Sequence, residues 1–207
     1  MKDNSGAQVL GRTSWKRLGL VMVPTVVAAG ALTVAMANGA IAASFAVSGQ
    51  QFQLTAGSLN GSGFVEYGSV DQKADGTPVP DAVSAFKSAD ITNLCQSVVT
   101  SLPFIGDVTL TIKAGGGTTP VHADNLIIDL TQLNANTATF TNINIGQDAS
   151  TLSGSAPGAT GTKGFLGQQA ESADLSGVQQ IAYSANAGSF QLHDMTLGVT
   201  MGNNPCF

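Results

Sequence analysis

Apolar and polar residues alternate over most of the chain after position 44, a pattern typical of β-strands with one buried face. The alternating positions are Phe45 and Val47, Phe52 and Leu54, Val65 and Tyr67, Val108, Leu110 and Ile112, Ile143 and Ile145, Ile181 and Tyr183, Phe190 and Leu192, and Leu197, Val199 and Met201. The continuous run Leu126–Ile128 predicts a strand buried on both faces, and the broken alternation between Phe140 and Ile143 predicts a bulge. The pattern predicts a mainly β domain (α+β class) built on a curved or solenoid-like sheet.

One segment has helical spacing instead. Its apolar positions fall at i, i+3, i+4, i+7, i+8 and i+11, and they are Ile91, Leu94, Cys95, Val98, Val99 and Leu102. Asp90 stands at a suitable N-cap position and Pro103 follows the last apolar residue, as helix start and stop signals do. We therefore expect one amphipathic helix over residues 90–102, packed against the sheet. A shorter, weaker helix is expected around Asp81 to Lys87.

Three stretches rich in Gly, Ser, Thr and Pro predict loops, at 75–80, 115–120 and 150–164. We expect the stretch at 115–120 to be the loop of a hairpin between strands at 108–113 and 121–130. Its glycines, Gly115–Gly117, lack the following Lys-Ser/Thr of a phosphate-binding P-loop. The glycines therefore predict a turn and no phosphate site.

The start of the chain has the features of a membrane segment. Residues 1–17 carry four basic residues against one acidic residue, a net charge of +3, and the 26 residues 18–43 are uncharged and mostly apolar. About 20 such residues span a bilayer, and a basic flank stays in the cytoplasm. We expect a basic cytoplasmic tail at 1–17 and a single transmembrane helix at 18–43. A cleaved signal peptide is the alternative, because Ala35-Met36-Ala37 and Ala40-Ile41-Ala42 both fit a cleavage site.

Either alternative places residues 44–207 outside the cytoplasm. That part carries four basic and twelve acidic residues, a net charge of −8, which excludes the basic surface of a nucleic-acid-binding protein. The chain has two cysteines, Cys95 and Cys206, and an exported domain meets an oxidising environment. We expect one disulfide between them, which would fix the strand Leu197–Met201 against the predicted helix.

Candidate chemistry is sparse. His122 lies near Asp124, and His193 precedes Asp194, but two separated histidines without a third ligand do not define a metal site. Three acidic residues surround Gly76 and could offer oxygen atoms to Ca²⁺, although the order of ligands in an EF-hand is absent; they are Asp71, Asp75 and Asp81. We assign no metal, cofactor or catalytic residue.

Several phrases of the sequence resemble those of an uncharacterised actinobacterial family, and the resemblance covers nearly the whole chain. The phrases are 39–49, 63–68, Leu94-Cys95-Gln96, 114–117, the most specific one at 140–150, and the final Cys206-Phe207. The resemblance implies an N-terminal membrane segment and an exported domain of unknown function, for which automated labels often give cholesterol esterase. The G-x-S-x-G motif of a serine esterase is absent from the chain.

These observations predict a membrane-anchored, extracytoplasmic protein of the cell envelope with a structural or interaction role. The alternative is a domain that binds or carries a lipid or another apolar ligand, and an ester hydrolase is third. The expected partners are the membrane and either a lipid or an envelope protein, with no nucleic acid. The expected location is the plasma membrane, single-pass with the N-terminus inside, or the exterior if the N-terminal segment is cleaved.

Overall fold

The computed structural model describes residues 50–73 and 75–207. The expected basic tail at 1–17, the span at 18–43 and the strand at Phe45 and Val47 lie outside these residues. None of the helical structure in the described part has the length and apolarity needed to cross a bilayer.

Ten antiparallel strands form one sheet, and a single 3₁₀ turn at Ala149–Thr151 is the helical element of the described part. The strands are β1 (Phe52–Gln72), β2 (Pro78–Thr92), β3 (Leu94–Leu102), β4 (Gly106–Ala114), β5 (Val121–Asn134), β6 (Thr137–Thr141), β7 (Asn144–Asp148), β8 (Leu166–Asn186), β9 (Ser189–Gln191) and β10 (Thr196–Met201). The mainly β class predicted from the alternation is confirmed.

The sheet closes on itself, because β1 pairs with β2, β2 with β5, β5 with β8, and β8 again with β1. On the far side of β8, the short strands β6 and β7 continue the line of β5. Beside β1, the strands β3, β4 and β10 extend the sheet outward, so that β10 lies at its edge. The closed part forms the body of the fold, and these three strands form an extension of it.

Two hydrophobic cores lie on opposite faces of the sheet. The main core lies on the inward face, where Phe64 contacts Phe86 and Phe140 with ring centroids 5.3 and 5.2 Å apart. The outer core is formed where the segment after β7 folds over β1 and β2, and it contains Val65, Tyr67, Val83, Ala85, Ala149, Leu152, Ala156 and Ala159. For Leu126–Ile128, predicted to be buried on both faces, Leu126 and Ile128 are buried in the main core, and Ile127 is half-buried against the outer core.

The helix expected at 90–102 is wrong, since this segment is the end of β2 followed by β3. Asn93 separates the two strands in a left-handed conformation, with φ of 50°. Because Asn93 interrupts the regular alternation, Ile91 and Leu94 both face inward although they are three positions apart. This spacing resembles the three-residue step of a helix. Val98, Val99 and Thr100 are also β-branched and favour a strand.

The weaker helix expected around Asp81 to Lys87 is also wrong, because these residues lie within β2. Val83 and Ala85 face the outer core, while Phe86 faces the main core. Burial on both sides removes the alternation that would have identified the strand.

The loop at 115–120 joins β4 to β5, but the hairpin expected there is absent. β4 pairs with β3 and β10, whereas β5 pairs with β2, so the loop connects two strands that do not pair with each other. On its way from β4 to β5, the loop passes Asn93, the residue between β2 and β3. Gly115 has φ of 64°, and a Cβ there would lie 2.9 Å from the Ile91 carbonyl oxygen. Glycine therefore allows the close passage.

Candidate functional site

The extension formed by β3, β4 and β10 has two chemically different faces. One face carries Cys95, Ser97 and Val99 on β3, with Thr109 and Thr111 beside them on β4. The other carries the even-numbered residues of β3 and β4 and the odd-numbered residues of β10, which alternate strictly with the first set. On each strand, the odd-numbered residues therefore lie on one face and the even-numbered residues lie on the other.

The C-terminal tail after β10 folds back over the first face. Thr109, with no exposed surface, donates its hydroxyl hydrogen to the Gly202 carbonyl at 2.6 Å and accepts the Asn204 N–H at 3.0 Å. The Cys206 N–H donates to the Ser97 hydroxyl at 2.9 Å. The polar groups of this face are thus matched to the backbone of the tail.

A disulfide between Cys95 and Cys206 fastens the tail, with Cα atoms 6.0 Å apart. The sequence predicts this pair, but its expected packing partner is wrong: the bond ties the tail to β3, and β10 packs beside β4 by strand pairing. A helix plays no part in holding the C-terminus. The disulfide and the hydrogen bonds hold the tail on the face opposite to the one described next.

The second face is mostly apolar and only partly covered: Val98 packs against the main core, and the Thr100 hydroxyl donates to Gln50 at 3.3 Å. Its three cross-strand rows are Gln96, Ile112 and Leu197; Val98, Leu110 and Val199; and Thr100, Val108 and Met201. On β10 the apolar side chains are exposed, with 57% for Leu197, 61% for Val199 and 65% for Met201. Sequence alternation predicted a strand here with one buried face; the strand is present, but the face is open to solvent. We refer to these nine residues as the apolar face.

The turn between β3 and β4 adds further apolar surface. Phe104 is fully exposed and has φ of 68°, and its neighbours Leu102 and Ile105 are also exposed. A left-handed phenylalanine at a turn tip is uncommon. Large exposed apolar patches on a protein surface mark interaction sites more often than chance. The extension therefore presents the strongest candidate site of the described residues.

An acidic cluster lies on the outer side of the sheet. Asp71, Asp81 and Asp129 bring carboxylate oxygens within 4.8 Å of one another. Burial, then the charge of Asp71, raises the pKa of Asp81 to about 7, and burial raises the pKa of Asp129, which accepts a hydrogen bond from Ser184. Burial, together with the neighbouring Asp129 charge, raises the pKa of Tyr67 to about 12.

Both Asp81 oxygens are shielded from solvent and accept no hydrogen bond from a donor in the described part of the chain. Since two carboxylates repel each other unless they share a proton, the raised pKa indicates that Asp81 shares one with Asp71 near neutral pH. Three such oxygens can alternatively ligate a hard cation. Asp75, expected in the same set, lies elsewhere and accepts the Thr77 N–H at 2.9 Å.

The second polar cluster surrounds His122 on β5. Its Nδ1 lies 2.7 Å from Asp90 and its Nε2 lies 3.4 Å from Asp124, while Ser189 donates its hydroxyl to Asp124 at 2.7 Å. The bond to Asp90 raises the pKa of His122, and the Ser189 hydroxyl lowers that of Asp124. Both imidazole nitrogens therefore face carboxylates and neither faces a serine.

Serine catalysis requires a serine hydroxyl in contact with a histidine. Among the described residues, no side-chain hydrogen bond links a serine to His122 or to His193, whose carbonyl oxygen accepts the Gly115 N–H. Asp194 follows with a left-handed backbone conformation, and among the described residues the ion pairs of His122 are with Asp90 and Asp124, not with Asp194. The sequence neighbours His193 and Asp194 thus do not complete a site with His122.

The interior of the closed sheet holds a cavity of about 30 Å³, lined by residues such as Phe64, Phe86 and Leu175. This volume corresponds to about one water molecule. Larger depressions of about 500 and 590 Å³ lie on the surface and are lined mainly by polar residues, including Ser62 and Lys87 in both. This interior cavity is therefore too small for a lipid chain.

Comparison with curated proteins and with solved structures gave no match. Comparison with protein families gave one, to a family of unknown function, DUF6230, over residues 48–207. The matched range contains every strand of the sheet, the disulfide and the apolar face. The chain therefore belongs to the DUF6230 family.

Proposed function

We propose that the protein is a membrane-anchored component of the cell envelope, and that its extracytoplasmic β domain works by binding a partner through the apolar face. The observation that carries this proposal is the construction of the extension. The tail and the disulfide cover the part of its polar face that lies on β3 and β4, while Leu197, Val199 and Met201 of β10 remain exposed on the other face. A fold that only needed stability would gain more by covering the apolar side chains.

The N-terminal sequence supports the location. The basic residues before position 18 and the uncharged segment at 18–43 favour retention of the N-terminus in the cytoplasm and export of the rest. A disulfide between Cys95 and Cys206 is also expected of a protein that folds in an oxidising compartment.

Two other functions receive less support. Carriage of a lipid inside the sheet needs several hundred Å³, against the 30 Å³ of the interior cavity. Ester hydrolysis needs a nucleophile activated by a base, and His122 is occupied by Asp90 and Asp124. An interaction role needs neither a cavity nor a catalytic base.

Photo-cross-linking in living cells tests the proposal. A benzophenone amino acid at Val199 would probe the apolar face, and the same residue at Thr200 would probe the opposite side of the same strand. We expect adducts from position 199 and few from position 200. Equal adducts from both positions, or none from 199, would contradict binding through this face.

A reporter fused after Phe207 tests the location. It should be active only if the reporter requires the extracytoplasmic environment. Resistance of the full chain to alkaline extraction from membranes would distinguish an anchored chain from a cleaved and released one. Activity of a reporter that works only in the cytoplasm would overturn the predicted orientation.

A further inference from the structure

We propose that the apolar face docks on the lipid bilayer, so that Leu197, Val199 and Met201 lie in the interfacial layer of the membrane. This names the partner of the face and rests on the proposed membrane anchoring. Three features of the chain favour lipid as the occupant: the position of the extension along the chain and the charge of the face point to the bilayer, and the area of the face argues against a second copy.

The extension lies beside the part of the domain that follows the predicted span. Gln53, at the start of β1, is paired with Ser97 of β3. Only the eight residues 44–51 separate position 43 from β1, and eight residues reach at most about 28 Å. A bilayer that holds the span is therefore within reach of β3, and the tether keeps the effective concentration of lipid surface high.

The charge of the face fits lipid acyl chains rather than headgroups. None of its nine residues is charged, whereas residues 44–207 as a whole carry a net charge of −8. An acidic domain gains nothing from anionic headgroups. Interfacial binding must then come from apolar area, as in proteins that insert aliphatic and aromatic side chains at the boundary of the acyl region. Phe104 and Ile105 at the turn tip extend the same uncharged surface.

The area of the face argues against a second copy as its occupant. Three strands spaced about 4.8 Å apart and six residues long at about 3.3 Å each cover about 300 Å². Two copies packed face to face would bury about 600 Å² in total, half of the smallest area typical of a stable interface. A chain already held by its span needs no such independent affinity for the bilayer.

Tryptophan fluorescence in vesicles tests the proposal with the full chain. Trp15 is the only tryptophan, so Trp15→Phe gives a background into which Val199→Trp or, as a second probe, Leu197→Trp is introduced. Thr200→Trp is the matched control on the other side of β10. Each chain is reconstituted in phosphatidylcholine vesicles, with or without bromine on carbons 6 and 7 of the acyl chain, and an absence of free thiols verifies the fold.

We expect brominated lipid to quench the probes at positions 199 and 197 at least twofold more than the probe at 200, with no dependence on salt. Equal quenching, or none, in chains that float with the vesicles would overturn docking and leave the anchor standing. Chains that do not float with the vesicles would overturn the anchor and docking together. A blue-shifted, unquenched signal that is lost on dilution would assign the face to a second copy and would also overturn the proposal.

Discussion

Cys206, the penultimate residue, is covalently bound to Cys95 on β3, a residue 111 positions earlier in the chain. The bond closes most of the domain into one loop and places the tail on the polar face of the extension. The choice of face follows from the partners available there, Ser97 and Thr109, which bind the backbone of the tail. The tail therefore lies on the side of β3 and β4 away from the apolar face.

Cys206→Ser should therefore weaken the whole extension. Loss of a native disulfide that closes a long loop costs about 2–5 kcal/mol. We expect a lower melting temperature and rapid cleavage by proteases after residue 201. Thermal unfolding and limited proteolysis provide the measurements, and the double variant Cys95→Ser/Cys206→Ser should match the single one. A single variant as stable as the parent would show that the hydrogen bonds alone hold the tail.

Thr109→Val tests those hydrogen bonds separately. The substitution keeps the shape of the side chain but leaves the Asn204 N–H and the Gly202 carbonyl without their partner. Loss of one partner from a buried polar group costs about 1–3 kcal/mol. Thr111→Val, on the same face of β4 but only partly buried, should cost less. Denaturant unfolding with the disulfide intact measures both, and equal costs would contradict a specific role for Thr109.

The alternation predicted a strand with one buried face correctly at Phe52 and Leu54 of β1, but it marked only Ile181 and Tyr183 within the long strand β8. It failed at Asn93, because a left-handed residue joins two strands with a shift that resembles helical spacing. It also failed within β2, where Val83 and Phe86 are buried on opposite faces and no alternation remains. Local periodicity identifies a strand only when the strand is regular and one of its faces is exposed.

The candidate site was partly visible in the sequence. Leu197, Val199 and Met201 stood out by their alternation, but alternation does not distinguish a buried face from an exposed one. That difference depends on the three-dimensional position of β10, which is set by its pairing with β4, a strand more than 80 residues earlier in the sequence. The acidic cluster was found in part, since Asp71 and Asp81 were considered with Asp75, but Asp129 on β5 takes its place.

Two glycines of β1 should respond differently to alanine. A Cβ at Gly61 would lie 2.2 Å from the Phe86 ring, whereas one at Gly68 would meet its nearest atom, in Phe165, at 3.8 Å. Overpacking in a core costs about 1–3 kcal/mol. We expect Gly61→Ala to destabilise the domain by about that amount and Gly68→Ala to be near neutral or slightly stabilising. Equal melting temperatures for the two variants would refute close packing of Phe86 on the backbone of β1.

The acidic cluster should make the fold less stable as the pH rises. The pKa of Asp81 is raised to about 7, so the folded state holds a proton that the unfolded state releases near pH 4. The stabilisation from this proton is complete below pH 4 and is lost as the pH rises through 7. Asp81→Asn removes the titrating group, so we expect the variant to melt at a higher temperature than the parent at pH 8, with the advantage shrinking toward pH 4. A constant difference across this range would contradict proton sharing.

His122 should titrate above its ordinary value, because its Nδ1 lies 2.7 Å from the Asp90 carboxylate, which favours the charged imidazolium. Since the pKa is higher in the folded state, the stabilisation from this pair is complete below pH 6.5 and is lost as the pH rises through the folded pKa. Asp90→Asn should lower the pKa of His122 toward 6.5, and Asp124→Asn should lower it less, because that carboxylate is 3.4 Å away. Proton NMR of the imidazole ring at a series of pH values gives each pKa directly. A direct ion pair with Asp90 makes the nearer carboxylate the stronger influence on the pKa of His122. Equal pKa shifts in the two variants, or no shift in Asp90→Asn, would therefore show that the contact with Asp90 does not govern the titration.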